Sequence, residues 1–222
     1  STRLWEREPE RMRPALACHD TIARAAVEAH RGTVVKTTGD GIHAVFDDPL
    51  DAVEATVQLQ QALADPAATA GTPLRVRCGL HLGVVERRDN DFFGTPVNRT
   101  ARIMAVAHGG QVLVSKAVAD QVGDRLPDGV ALKDLGAVRL RDLASPERVY
   151  QVMHPELRRD FPAPRSLEST PNNLPQQVTP FVGRERELTL AGPVVATFES
   201  FSGRQLVIGP RSGGEIRADF NV

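Results

Sequence analysis

Lys36-Thr37-Thr38-Gly39-Asp40-Gly41 lies between two apolar runs, Thr33-Val34-Val35 and His43-Ala44-Val45-Phe46. Short β-prone runs separated by a glycine-flanked aspartate read as a β-hairpin with its tip at Gly39–Gly41. The hairpin commits this part of the chain to an antiparallel sheet and lifts Asp40 onto an exposed turn. Two readings of Asp40 follow. Asp-Gly simply makes the turn, or the carboxylate serves a divalent cation, because Mg²⁺ takes one or two carboxylates together with substrate phosphate oxygens. Lys36, on the strand, is either a solvated lysine or a donor to a ligand.

A second motif, Asp91-Phe92-Phe93-Gly94-Thr95-Pro96-Val97-Asn98, runs on to Ala101-Arg102. Pro96 suits the first turn of a helix, where its missing N–H costs nothing, and Gly109-Gly110 are stop signals, which predicts a helix over about 96–107. Asn98 and Arg102 then share one face at i and i+4. A guanidinium there can grip phosphate through paired hydrogen bonds, or can simply pair with a nearby surface acid.

Elsewhere the apolar periodicity predicts helices over 4–30, 49–64 and 117–122. Strands are expected over 74–84, 111–115, 131–140 and 149–153, with Asp89-Asn90 in a hairpin loop. The 222 residues are 41% hydrophobic and 25% charged, enough for a sizeable core. A net charge of −1 leaves no electrostatic footprint for nucleic acid. No apolar stretch reaches membrane-spanning length, nothing resembles a signal peptide, and Cys18 and Cys78 read as small buried residues, so the expected setting is the cytoplasm.

Lys36 to Gly41, Gly79-Leu80-His81-Leu82-Gly83, Asp91 to Asn98 and Arg102 together resemble the catalytic domain of class III adenylate cyclases, especially the actinobacterial type, over about residues 1–155. The resemblance implies an α+β, ferredoxin-like βαββαβ sandwich. It also implies cyclisation of ATP to 3′,5′-cyclic AMP and pyrophosphate, assisted by two Mg²⁺ or Mn²⁺ ions per site. By the same resemblance Lys36 and Asp91 read adenine, Asn98 orients the ribose, Arg102 stabilises the α-phosphate and Asp40 is one of two metal aspartates. Arg141, taken as part of the strand Val138-Arg139-Leu140-Arg141, falls near a cation for the terminal phosphates, and Thr2 falls at a phosphate-binding position. Adenine's acceptor-beside-donor edge complements an ammonium and a carboxylate, whereas guanine presents the reverse.

The resemblance further implies a symmetric homodimer, with Asp40 of one protomer facing Lys36, Asp91, Asn98 and Arg102 of the other. One departure stands out. The family's first strand carries a D-I-x-G-S-T-like pattern, and Ser1-Thr2 match only its end. The expected domain therefore lacks its first strand, which lies mid-sheet in the family, and the other metal aspartate is expected upstream of Ser1. Without that strand, residues 1–155 alone should be poorly stable, and the chain as it stands should be catalytically crippled. The alternatives are a catalytically silent module that dimerises or senses nucleotide within a larger regulator, and a structural fragment with no ligand.

Six prolines between Pro155 and Pro180 mark a linker over 156–180. Residues 181–222 read as a truncated or altered segment, with Phe181 to Leu188 like the lead-in to an ATPase module. Gly209 to Gly214 is glycine-rich but lacks the Lys-Ser/Thr of a phosphate-binding loop. Gly203 to Gly209 is faintly similar to the first strands of a forkhead-associated domain. No role is assigned to residues 189–222.

Overall fold

The computed structural model describes residues 6–88, 91–166 and 194–200. Helix α1 (Pro9–Ala29) leads into the predicted hairpin, β1 (Thr33–Thr38) and β2 (Gly41–Phe46). The hairpin's register pairs Thr38 with Gly41 and Lys36 with His43. Gly39 takes φ +62° at the tip, a conformation that glycine adopts without steric cost. Helix α2 (Pro49–Ala64) starts at an N-cap, where the Asp48 carboxylate accepts from the Leu50 N–H at 2.9 Å.

Strand β3 (Val76–Leu82) follows, then a short arm of β4 (Glu86–Arg88) and β5 (Asp91–Phe93). Helix α3 (Thr95–Val106), strand β6 (Val112–Ser115) and helix α4 (Lys116–Val122) come next, and β7 (Ala131–Val138) and β8 (Glu147–Met153) close the domain region. Strand β7 stops at Val138, earlier than the pattern predicts. Arg141 therefore stands in the turn after it, where Leu140 is buried and Asp142 takes φ +61°. Helix α3 ends at Ala107, whose extended backbone (ψ 160°) breaks the helix before the two glycines are reached.

The last strand, β9 (Val194–Ser200), lies in the middle of the sheet. The seven-stranded order is β1-β2-β9-β3-β6-β8-β7, and β9 is antiparallel to both neighbours. Its register pairs Ala196 with Ala44 and Leu80, and Thr197 with His43 and Gly79. The slot expected to stand empty for want of a first strand is thus filled from the far end of the chain, by residues for which the sequence suggested no role. Filling it is a physical necessity for a sheet of this kind, since facing rows of buried N–H and C=O groups on β2 and β3 would otherwise go unpaired.

The sheet separates two apolar clusters. On one face Met12, Ala15, Ala26, Val53, Leu59 and Leu63 from α1 and α2 meet Ile42, Ala44, Cys78, Leu80 and Ala196. On the other, Ile103, Val106 and Ala107 at the end of α3 meet Leu113, Val138 and Val149. Alternation along each strand assigns neighbouring residues to opposite faces, so 196 faces α1 and α2, and 195 and 197 face α3. Of the stretch read as a linker, residues 156–166 are described and lie against the domain: the Gln151 amide donates to the Arg159 carbonyl at 2.8 Å, the Arg165 N–H donates to the Val106 carbonyl at 3.0 Å, and the Phe161 ring stacks on His108. The rest of that stretch, with Phe181 to Leu188, Gly203 to Gly209 and Gly209 to Gly214, lies outside the described residues.

Candidate active site

Two glycines seat the helix that carries Asn98 and Arg102. A Cβ on Gly79 would stand 2.6 Å from the Met104 backbone nitrogen and 2.8 Å from the Thr100 carbonyl, and one on Gly83 would stand 2.6 Å from the Pro96 ring. Those distances leave no room for a side chain, so α3 lies directly on the β3 backbone. The Thr100 hydroxyl, fully buried, donates to the Pro96 carbonyl at 2.8 Å and lies 3.4 Å from the Val195 carbonyl of β9. The position of α3 is therefore set by β3 and β9 together.

Lys36 and Asp91 are brought together from 55 residues apart, with the Lys36 ammonium donating to Asp91 Oδ2 at 2.7 Å. Asp91 also accepts from the Phe92 N–H at 2.8 Å. The hydrogen bond from Lys36 is the main cause that holds the Asp91 carboxyl below the usual carboxylate range. His43, the register partner of Lys36, has its pKa lowered by burial first and by the Lys36 charge second. The His43 ring thus lies beside the pair, in a setting that disfavours its charged form. His43 was absent from the sequence-based site, although its place across a two-residue tip from Lys36 could have indicated it.

Asn98 is exposed on the first turns of α3, after Gly94 turns the chain out of the arm with φ +125°. Arg102, one turn on, donates to Asp142 Oδ2 at 2.8 Å. Its neighbour Arg99 pairs with Glu147 at 2.9 Å, and burial raises the Glu147 pKa more than Arg99 lowers it. Beneath α3, His81 Nδ1 lies 2.9 Å from the Ser115 hydroxyl, and burial pushes the imidazole pKa down to about 4.

Asp40 is half-buried at the hairpin tip. Among the described residues no three His, Cys, Asp or Glu side chains converge as a cation site. Thr2 lies outside the described residues. The described geometry thus joins Lys36 to Asp91 and Arg102 to Asp142, and places Arg141 beside the second pair.

The sequence pattern of the adenylate and guanylate cyclase catalytic domain matches residues 1–153. The chain belongs to this family. An uncharacterized protein of Mycobacterium tuberculosis is 41% identical over 192 residues, covering 85% of this chain and 65% of that protein. This chain thus spans about 65% of the length of such relatives. An adenylate cyclase of Schizosaccharomyces pombe is 35% identical over 144 residues, covering 53% of this chain and 8% of that protein. Among solved structures, a Trypanosoma brucei adenylate cyclase in its monomeric state superposes with a TM-score of 0.66 at 28% identity, covering 74% of this chain and 88% of the other. The fold is accordingly the α+β fold of the cyclase catalytic domains, a family that generally works with divalent metals and as a dimer. No helix among the described residues is long and apolar enough to cross a membrane.

Proposed function

We propose that this domain is an adenylate cyclase, forming 3′,5′-cyclic AMP and pyrophosphate from ATP at sites shared by two copies of the chain in the cytoplasm. The observation that carries the choice of ATP is the Lys36–Asp91 pair, a donor and an acceptor held 2.7 Å apart by β1 and β5. Adenine presents an acceptor ring nitrogen beside an amino donor, so it can engage the ammonium and the carboxylate at once. Guanine would set its carbonyl and ring N–H against the wrong partners and leave them unmatched, which is the costly kind of mismatch.

Asn98 orients the ribose from the exposed start of α3. Arg102 spreads positive charge over the α-phosphate, and Arg141 meets the terminal phosphates, as Thr2 does in the same reading. Asp40 would hold Mg²⁺ or Mn²⁺, and two such ions assist attack of the 3′-hydroxyl on the α-phosphate and departure of pyrophosphate. Exposed Val84 and Phe93, both at the base of the β4–β5 arm where Glu86 pairs with Phe93, offer apolar surface for the second copy. A silent, nucleotide-sensing module is the competing reading.

The test is product formation by the full chain, and by a form extended upstream of Ser1, with Mn²⁺ and either ATP or GTP. Cyclic AMP is the expected product, and Lys36→Ala and Asp91→Ala should each lower its rate at least about tenfold. Preference for GTP would overturn the choice of base. Nucleotide binding without product from either form would establish the silent module instead.

A further inference from the structure

Arg102 is already engaged in this structure, and by a residue whose placement is unusual. Asp142 is one of three non-glycine residues with positive φ among those described, at +61° in the turn between β7 and β8. Aspartate tolerates that conformation better than most residues. The turn brings Asp142 Oδ2 to 2.8 Å from Arg102 Nη2 and 3.6 Å from Arg141 Nε. One carboxylate oxygen therefore faces both guanidinium groups assigned to substrate phosphates.

A carboxylate and a phosphate oxygen make the same kind of charge-assisted contact with a guanidinium. Both cannot hold one N–H at full strength. Arg102 is 23% exposed and Asp142 62% exposed, so the arginine is anchored by the α3 surface while the aspartate reaches it from solvent. The acid is the member of the pair that can be displaced without rebuilding the core.

We propose that Asp142 is an internal counter-ion that occupies the phosphate position on Arg102 and Arg141 until a polyphosphate displaces it. It is a positioning residue. It holds the Arg102 fork extended toward the turn, and it lowers affinity for any ligand whose phosphates need that fork. The ligand class is a polyphosphate, and the nucleoside's triphosphate chain is the form the known family chemistry would supply. This inference rests on the assignment of Arg102 to phosphate.

The experiment measures binding of inorganic tripolyphosphate to the full chain by calorimetry, for the wild type, Asp142→Asn, Arg102→Gln and the double variant. Asparagine keeps the turn's backbone preference while removing the charge. The expected result is roughly fivefold tighter binding for Asp142→Asn, the size of a partly exposed ion pair. Arg102→Gln should weaken binding, and in its background the gain from Asp142→Asn should fall below about twofold. If Arg102→Gln leaves affinity unchanged, the assignment of Arg102 itself fails and takes the proposal with it. If Arg102→Gln weakens binding but Asp142→Asn does not tighten it, the assignment stands and the counter-ion role is overturned. Should Asp142→Asn fail to fold, Asp142→Gly suits φ +61° and carries the same two outcomes.

Discussion

Strand β9 at the centre of the sheet and the β7–β8 pair at its rim are built on opposite principles. The β7 and β8 strands are consecutive in sequence, joined by a short connection, and β7 is largely exposed along its length. Their cross-strand contacts include the exposed ion pair of Arg148 with Asp134. Strand β9 does not pair with β8, the described strand before it in sequence: its partners β2 and β3 lie more than 100 residues earlier. Both of its faces are covered, with Val195, Ala196 and Thr197 all buried. A rim strand is held by local closure and contributes little burial. A central strand must offset a long loop closure by satisfying two rows of backbone groups and closing two cores.

The sharpest way to break the contrast is one charge placed in each region. Ala196→Asp buries an unpaired carboxylate between Ala44 and Leu80 and should cost at least about 4 kcal/mol, enough to abolish a cooperative thermal transition. Ala131→Asp, on exposed β7, should change stability by less than about 0.5 kcal/mol. If both variants melt alike, β9 is dispensable and its central place carries no weight.

A smaller effect comes from His81, which is the register partner of Val195 in the same central region. Its folded pKa of about 4 lies below the ordinary value of 6.5. The unfolded chain therefore binds more protons between those values, and stability falls as pH drops from about 6.5 through 4. The loss should be on the order of 3 kcal/mol in a series of denaturant titrations, and His81→Asn should flatten it. A slope unchanged by His81→Asn would place the titrating group elsewhere.

The smallest effect belongs to the rim. Arg148→Ala removes an exposed guanidinium from Asp134 and should leave the thermal midpoint almost unchanged, with any shift smaller still at high salt. A larger change would mean that the rim contributes more to holding the sheet together than its exposure suggests.

Much of the architecture could be read directly. The hairpin declared itself through a glycine-flanked tip between apolar runs. Helix α2 did so through its apolar spacing, and α3 through Gly94 and Pro96. The family motifs fell on the elements predicted for them. The end of β7 was misplaced, since Val138 to Arg141 keeps a strand-like pattern while the turn is set by the backbone of Asp142. Strand β9 was invisible, because Val194–Ser200 is a short apolar run with nothing nearby to pair with, and β-pairing carries no local signal of its distant partner.

The sequence by itself determined which segments become helix or hairpin and which polar residues are available at their ends, because turn chemistry and periodicity act over a few residues. Only the tertiary structure decided that β9 fills the centre, that Lys36 meets Asp91 across 55 residues, and that Asp142 holds Arg102 across 40. Those contacts depend on how the sheet closes and how closely α3 can approach β3 through Gly79, which is a property of the packed backbone.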